Sequence, residues 1–318
     1  MAYTKEGVCM SGFSKGSRPG GTYVMGGKAV SRVGYGTMQL PKLKDEAKAR
    51  AVIRRAYELG VNHFDTADFY EDGFTNRCLA DEIGREPDAA IVTKIGAKPG
   101  NGVMPMIPAQ RPEELRQHIE DNLRSLKTDH LGIVNFRRIA PGTFPLKPSQ
   151  KVSFDDQMAE LVKMRDEGLI EGIGLSTVSL KELQGALPAG IVCVQNQYNI
   201  TSRSQEGILD LCRQEGIAWV PYFPLGGGMP GSAKVTEDET VQAVAREMGL
   251  SPVQVGLAWI LRHAENALII PGTTSIGHLE QNVAVGDIRF DEDTMRRLDN
   301  VPPAKGIGAI VNRFMTRR

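Results

Sequence analysis

Residues 45–65 read DEAKARAVIRRAYELGVNHFD. Ala49, Val52, Ile53, Ala56 and Leu59 fall at helical spacing and make one apolar stripe, which Gly60 closes. VNHFD (61–65) follows without a linker and reads as a buried strand. A helix running straight into a strand is one unit of βα alternation, and the pattern continues in both directions. Upstream lies the apolar run RVGYG (32–36). Downstream come a helix near 75–85 and the run IVTKIG (91–96). RPEELRQHIEDNLRSL (111–126) places Pro112 early in a helix and Leu115, Ile119, Leu123 and Leu126 on one side. LGIVNF (131–136) is the next strand. A helix over 153–167, ended by Gly168, leads to EGIGLS (171–176), and Ser179 with Glu182 forms a capping box for another helix. IVCVQNQYN (191–199), a helix at 205–215, IAWVPYFP (217–224), a helix at 252–263 opened by Ser251-Pro252, and ALIIP (267–271) complete the series. Two helices, at 275–286 and 291–299, close it.

Eight strand-like runs alternating with helices predict an α/β fold with a parallel sheet, and eight is the number that closes a (β/α)8 TIM barrel. An open doubly wound sheet would bring a Gly-rich phosphate turn after its first strand. Here GYGTMQL runs into Pro41 instead. TYVMGGKAV (22–30), centred on Gly26-Gly27, predicts an N-terminal β-hairpin that plugs one end of the barrel. The expected organisation is a flexible extension over 1–20, the barrel with accessory helices over 21–300 and a tail over 301–318.

The 318 residues carry 38 Lys and Arg against 38 Asp and Glu, a formal net charge of zero. That balance offers no basic field for nucleic acid or an anionic membrane surface. No apolar run reaches the roughly 18 residues of a membrane span, and the first twenty residues lack the apolar core of a secretory signal. Cys9, Cys78, Cys193 and Cys212 are scattered, without zinc spacing, as expected of reduced thiols in a cytoplasmic protein. No metal site is expected.

In a barrel of this kind the active site lies at the C-terminal ends of the strands. Polar residues finish nearly every run: Asp65, Lys94, Asn135 with Arg137, Ser176 with Thr177, Gln195 with Gln197 and Asn199, Tyr222, and the loop GTTS after Pro271. Polar groups at a barrel mouth are costly unless they pair or bind something. His63, two residues before Asp65, reads as a satisfied core residue. Cys193 reads as small core filling, and TEDET (236–240) as a solvated helix start.

FDTADFY (64–70), VTKIG (92–96), GIGLS (172–176), VQNQYN (194–199), YFPLGGG (222–228) and IPGTTSIGHLEQN (270–282) together resemble the aldo-keto reductase family, in order, over about residues 30–300. RVGYGTMQL, GVNHFDTADFY, IVCVQNQYNI, VPYFPLGG and LIIPGTTS are similar to its bacterial pyridoxal reductase-like branch. The resemblance implies a (β/α)8 barrel that reduces aldehydes and ketones with NADPH, without a metal. Tyr70 matches the family's proton donor. Lys94 beside it would favour the phenolate and lower its pKa, and Asp65 would pair with Lys94. Arg137 stands where most of the family has His. It could polarise the carbonyl but not relay a proton, and it leaves room for an anionic or phenolate-bearing substrate.

The same resemblance places Ser176, Thr177 (where Asn is usual) and Gln195 at the nicotinamide carboxamide, with Tyr222 stacked on the ring. It places Leu225, Gly226 and Gly227 at the pyrophosphate, and Gly272, Thr273, Thr274, Ser275, His278, Gln281 and Asn282 at the adenosine end. Gly272 and His278 stand where Lys and Arg often surround a 2′-phosphate, so NADH is the alternative cofactor. Met38, Phe69, Asn135 and Asn199 are candidate pocket residues. The expected activity is reduction of a small aldehyde, pyridoxal or another aromatic aldehyde first. The alternative is a non-enzymatic cofactor-binding sensor or regulatory subunit. An unrelated barrel isomerase would not need Gln195, Tyr222 and the late adenosine segment together.

Overall fold

The computed structural model describes residues 17–100, 106–139, 147–227 and 232–304. A hairpin comes first, β1 (Thr22–Met25) and β2 (Lys28–Ser31), turning at Gly26-Gly27 with positive φ at both. Then follow β3 (Tyr35–Gly36), α1 (Glu46–Glu58), β4 (His63–Asp65), α2 (Phe74–Ile83) and β5 (Ala90–Ile95). A small antiparallel pair, β6 (Ala97–Pro99) and β7 (Met106–Pro108), precedes α3 (Pro112–Leu126) and β8 (Leu131–Arg137). The series continues with α4 (Phe154–Asp166), β9 (Ile170–Ser176), α5 (Leu180–Ala186), β10 (Ile191–Gln195), α6 (Glu206–Gln214) and β11 (Ala218–Trp219). It ends with α7 (Glu239–Met248), α8 (Pro252–His263), α9 (Ile276–Ala284) and α10 (Glu292–Asp299).

The helices start where the sequence places caps. Asp45 accepts from the Lys48 N–H ahead of α1, and Ser179 with Glu182 and Ser251 with Gln254 form capping boxes for α5 and α8. The stripe of α1 buries Ala49, Val52, Ile53 and Ala56 against the outside of the barrel.

Seven strands form one parallel sheet in the order β11-β10-β9-β8-β5-β4-β3. The segment 267–269 closes the ring as the eighth stave. Ala267 bridges Trp219 on one side and Ile269 bridges Val33 on the other, both in parallel sense. Four backbone bonds carry the closure: Trp219 N–H to Asn266, Leu268 N–H to Trp219, Gly34 N–H to Ile269 and Ile269 N–H to Arg32. The expected (β/α)8 barrel is the observed one.

Met25 and Val30 of the hairpin are buried against Ala90, Val92, Ile133, Cys193, Ala218, Val220 and Leu268, interior residues of the staves. The hairpin therefore plugs the N-terminal end and leaves the other end for the site. Each buried plug side chain contributes roughly 1.5–3 kcal/mol.

Two features depart from expectation. The antiparallel pair β6–β7 lies between IVTKIG and Pro112, where no element was expected. His63 is fully buried, yet neither ring nitrogen has a hydrogen-bond partner among the described residues. Its ring packs over Gly34, where a Cβ would sit 2.9 Å from Nδ1. Of the extension, Ser17 to Gly20 are described, and Arg18 donates to the Gly60 carbonyl and pairs with Asp88. Residues 1–16 and the tail beyond Ala304 lie outside the described residues. No described helix is long and apolar enough to cross a membrane.

Burial fixes a consequence for His63. It holds the imidazole pKa at about 4, against about 6.5 for the free side chain. Between those values the unfolded chain binds the extra proton, so stability rises with pH there. The contribution is complete above about pH 6.5 and lost as pH falls towards 4, in total roughly 3 kcal/mol. Urea denaturation at several pH values checks this: His63→Asn should flatten that part of the stability profile.

Candidate active site

Asp65 ends β4 and Lys94 lies near the end of β5, both facing the barrel interior, with side chains only 5% and 7% exposed. The Lys94 ammonium pairs with Asp65 Oδ1 and donates to the Thr66 carbonyl at 2.9 Å. Gln195 Nε2 donates to Asp65 Oδ2 at 2.7 Å. Both carboxylate oxygens are thus occupied, which is what lets an ion pair persist in a dry interior. Burial by itself would lower the Lys94 pKa, but Asp65 and Tyr70 outweigh it and hold the pKa above the usual lysine value. Lys94 is a permanent cation here.

A second polar network fixes the strand end. Thr66 Oγ1 bonds Thr75 and Asn76 of α2 at 2.8 Å each, and Asn76 Nδ2 donates to Asn122 of α3 at 2.9 Å. The helices behind the barrel therefore set the position of the residue next to Asp65.

Tyr70 follows on the loop after β4. Its N–H bonds the Ala67 carbonyl, and Glu71, Asp72 and Gly73 then turn the chain with positive φ at all three. The loop is tied down by Gly73 N–H to the Asp68 carbonyl at 2.6 Å and by Ser125 Oγ to Asp68 Oδ1 at 2.6 Å. Lys94 Nζ lies 5.2 Å from the Tyr70 ring centroid. Burial raises the Tyr70 pKa, Lys94 and Arg137 pull it down, and Asp65 pushes it up, with a raised value as the balance. The expected lowering is reversed because desolvation of the phenolate outweighs the two cations. A raised pKa keeps the phenol protonated at neutral pH, the form a proton donor needs.

Arg137 ends β8, half-buried, with its guanidinium carbon 6.0 Å from the Tyr222 ring centroid. It has no carboxylate partner among the described residues. Its neighbour Arg138 does: that guanidinium is buried, pairs with Glu182 at 3.1 Å and donates to Gln157 at 2.9 Å.

Of the residues expected at a cofactor, Gln195 touches this core through Asp65. Ser176 is buried at the end of β9 with Thr177 beside it, their hydroxyls 3.4 Å apart. The Gln195 amide nitrogen is committed to Asp65, leaving its oxygen. Tyr222 is half-buried and packs edge-on against Phe223. The N–H groups of Gly226 and Gly227 are spent inside their own loop, on Phe223 and Ala233. What Gly227 offers is space, since nothing lies within 4 Å of a Cβ built there. Gly272 approaches the Gly36 carbonyl so closely that a Cβ would sit at 2.8 Å. Thr273 accepts from the Ser275 N–H, and Ser275 caps α9 by accepting from the His278 N–H. Thr274 is half-buried, His278 and Gln281 are exposed on α9, and Asn282 is buried.

Thr177 holds φ at 60°, a left-handed conformation that a β-branched residue rarely adopts. Its N–H bonds the Gln195 carbonyl, and the Asn196 side chain clamps Val178 at both its N–H and its carbonyl. Asn tolerates this conformation far better. Thr177→Asn should stabilise the fold by about 1 kcal/mol, seen as a Tm rise of about 2 °C in a calorimetric scan.

The pocket candidates divide. Phe69 packs edge-on against Tyr70 at 5.2 Å, and Met38 is exposed on the loop after β3. Asn135 is fully buried, packs over Gly174 and accepts from the Cys193 thiol, so it lies beneath the site. Asn199 is also fully buried and pins its own loop, donating to Phe223 and accepting from Thr201. The Thr66 carbonyl escaped sequence reasoning, since no side-chain signal marks a main-chain acceptor.

Residues 32–302 match the model of the aldo/keto reductase family. The chain is 40% identical to pyridoxine 4-dehydrogenase of Escherichia coli, over 88% of this chain and 98% of the relative. It is 26% identical to methylglyoxal reductase YeaE of the same organism, over 88% and 93%. An aldo-keto reductase from Klebsiella pneumoniae, solved in complex with NADPH, superposes with a TM-score of 0.72 at 24% identity, covering 90% of this chain and 96% of that one.

Proposed function

We propose that this chain, which belongs to the aldo/keto reductase family, is an oxidoreductase that reduces a small aldehyde or ketone with NADPH, pyridoxal or another aromatic aldehyde first. The observation that carries the reading is the buried Asp65–Lys94 pair set against Tyr70, with Arg137 at the same mouth. The relative at 40% identity, named for pyridoxine, supports the substrate class.

The residues present fit a dinucleotide. Ser176 and the free Gln195 oxygen suit a carboxamide, the Tyr222 face suits a flat ring, and Gly227 admits a close backbone approach. The start of α9, capped by Ser275, suits a phosphate. Bound there, NADPH supplies a hydride for the carbonyl carbon. Tyr70 holds the proton for the carbonyl oxygen. Lys94 stabilises the phenolate left behind, and Asp65 keeps Lys94 charged and aimed. Arg137 polarises the carbonyl.

No Lys or Arg lies between 272 and 282, so the 2′-phosphate would rest on hydroxyls, backbone N–H groups and His278. The described cysteines, Cys78, Cys193 and Cys212, are free and buried, as suits a cytoplasmic enzyme. No observation favours the sensor alternative. Fluorescence titration with NADPH and NADH, followed by turnover with pyridoxal, tests the proposal. Tighter binding of NADPH and formation of the alcohol are expected. Tight binding without turnover of any aldehyde would overturn it.

A further inference from the structure

We infer that the site selects planar carbonyl substrates carrying an ionised oxygen beside the carbonyl, and that Arg137 reads that oxygen. The inference rests on the reductase reading and narrows its substrate class. It begins with a count of charge at the mouth. Lys94 is paired with Asp65 and faces the Tyr70 ring, so its charge is committed to those two groups. Arg137 is not cancelled. It is half-buried and has no carboxylate partner among the described residues. Outside the described residues the sequence carries one acidic side chain, Glu6, and the segments 101–105 (NGVMP), 140–146 (APGTFPL) and 228–231 (GMPG) carry none. The next residue, Arg138, shows that the fold does supply partners, Glu182 and Gln157, to a strand-end arginine.

A half-buried cation left without a partner is costly unless an anion arrives with the ligand. The guanidinium is a planar fork with five donors. It can take a carbonyl oxygen and an adjacent phenolate or carboxylate oxygen together. The surroundings are aromatic. Phe69 packs on Tyr70 and Phe223 on Tyr222, each at 5.2 Å, and Arg137 lies over the Tyr222 ring. Aromatic walls with one unspent cation suit a flat ring bearing an acidic oxygen.

Three aldehydes separate position from charge: salicylaldehyde, 4-hydroxybenzaldehyde, whose acidic oxygen lies across the ring, and benzaldehyde, which has none. The wild type should prefer salicylaldehyde over both by about 10- to 100-fold in kcat/KM. Arg137→Gln should shrink that preference to within about threefold, and Arg137→Lys should keep part of it. A second readout needs no turnover. Salicylate, which cannot be reduced, should bind the protein–NADP+ complex and lose about 10- to 100-fold in affinity in Arg137→Gln, read by fluorescence titration. Equal use of the three aldehydes by the wild type, a preference that survives Arg137→Gln, or unchanged salicylate affinity would overturn the inference. Arg137-dependent salicylate binding without reduction of any aldehyde would uphold the anion site and overturn the reductase reading instead.

Discussion

Tyr70→Phe lowers kcat by about 10³-fold while the affinity for NADPH stays within about twofold of wild type. The phenyl ring still fills the space beside Lys94, so the loss is that of one hydroxyl. General acid catalysis by a positioned side chain contributes about 10²- to 10⁴-fold, and the Tyr70 ring centroid lies 5.2 Å from the buried cation. Its raised pKa adds a pH signature: the phenol stays protonated through neutrality, so kcat should show no loss from its ionisation across the neutral range. Steady-state kinetics with Tyr70→Phe beside a cofactor titration checks both parts. A variant with wild-type kcat would remove Tyr70 from the mechanism.

Lys94→Met has the second large effect, on stability as well as rate. It leaves Asp65 as a buried carboxylate whose ion partner is gone, and breaking such a pair costs about 3–5 kcal/mol. Gln195 alone cannot compensate, because its amide already serves the other carboxylate oxygen. Activity should fall by at least about 100-fold, since only the weaker pull of Arg137 is then left to favour the Tyr70 phenolate. The double variant Asp65→Asn with Lys94→Met removes both charges and should recover most of the stability but none of the activity. Chemical denaturation of the two variants separates these effects. Equal stability of wild type and Lys94→Met would contradict the reading of the pair.

The staves were legible because each one's outward face is apolar and each is followed by a helix whose stripe covers it. Val134 and Phe136 of β8 and Ile173 and Leu175 of β9 belong to that outer core. The closing stave was harder to define. The segment 267–269 joins its neighbours through isolated bridges alone, and periodicity does not report on a ring that closes through main-chain atoms. The β6–β7 pair was hidden because each strand is three residues long and ends in a proline, too short to show an alternating pattern.

At the site, residue types and order brought Asp65, Tyr70, Lys94 and Arg137 to one mouth. The contacts among them were not legible. Gln195 turns towards Asp65, Asn135 sinks onto Gly174, and His63 packs over Gly34 with no partner among the described residues; the last two depend on which neighbour is a glycine. The Tyr70 pKa direction is a balance of burial and Asp65 against two cations. A sequence names the charges but not the depth of burial that decides the balance.

The central claim is that this barrel passes hydride to a carbonyl carbon while Tyr70 protonates the oxygen. The most direct measurement is product analysis after reaction of pyridoxal with NADPH deuterated at the transferring position of the nicotinamide. The account predicts one deuterium per alcohol formed, on the carbinol carbon, and almost no product with Tyr70→Phe. Unlabelled alcohol, or no alcohol from wild-type protein that binds the cofactor, would contradict it.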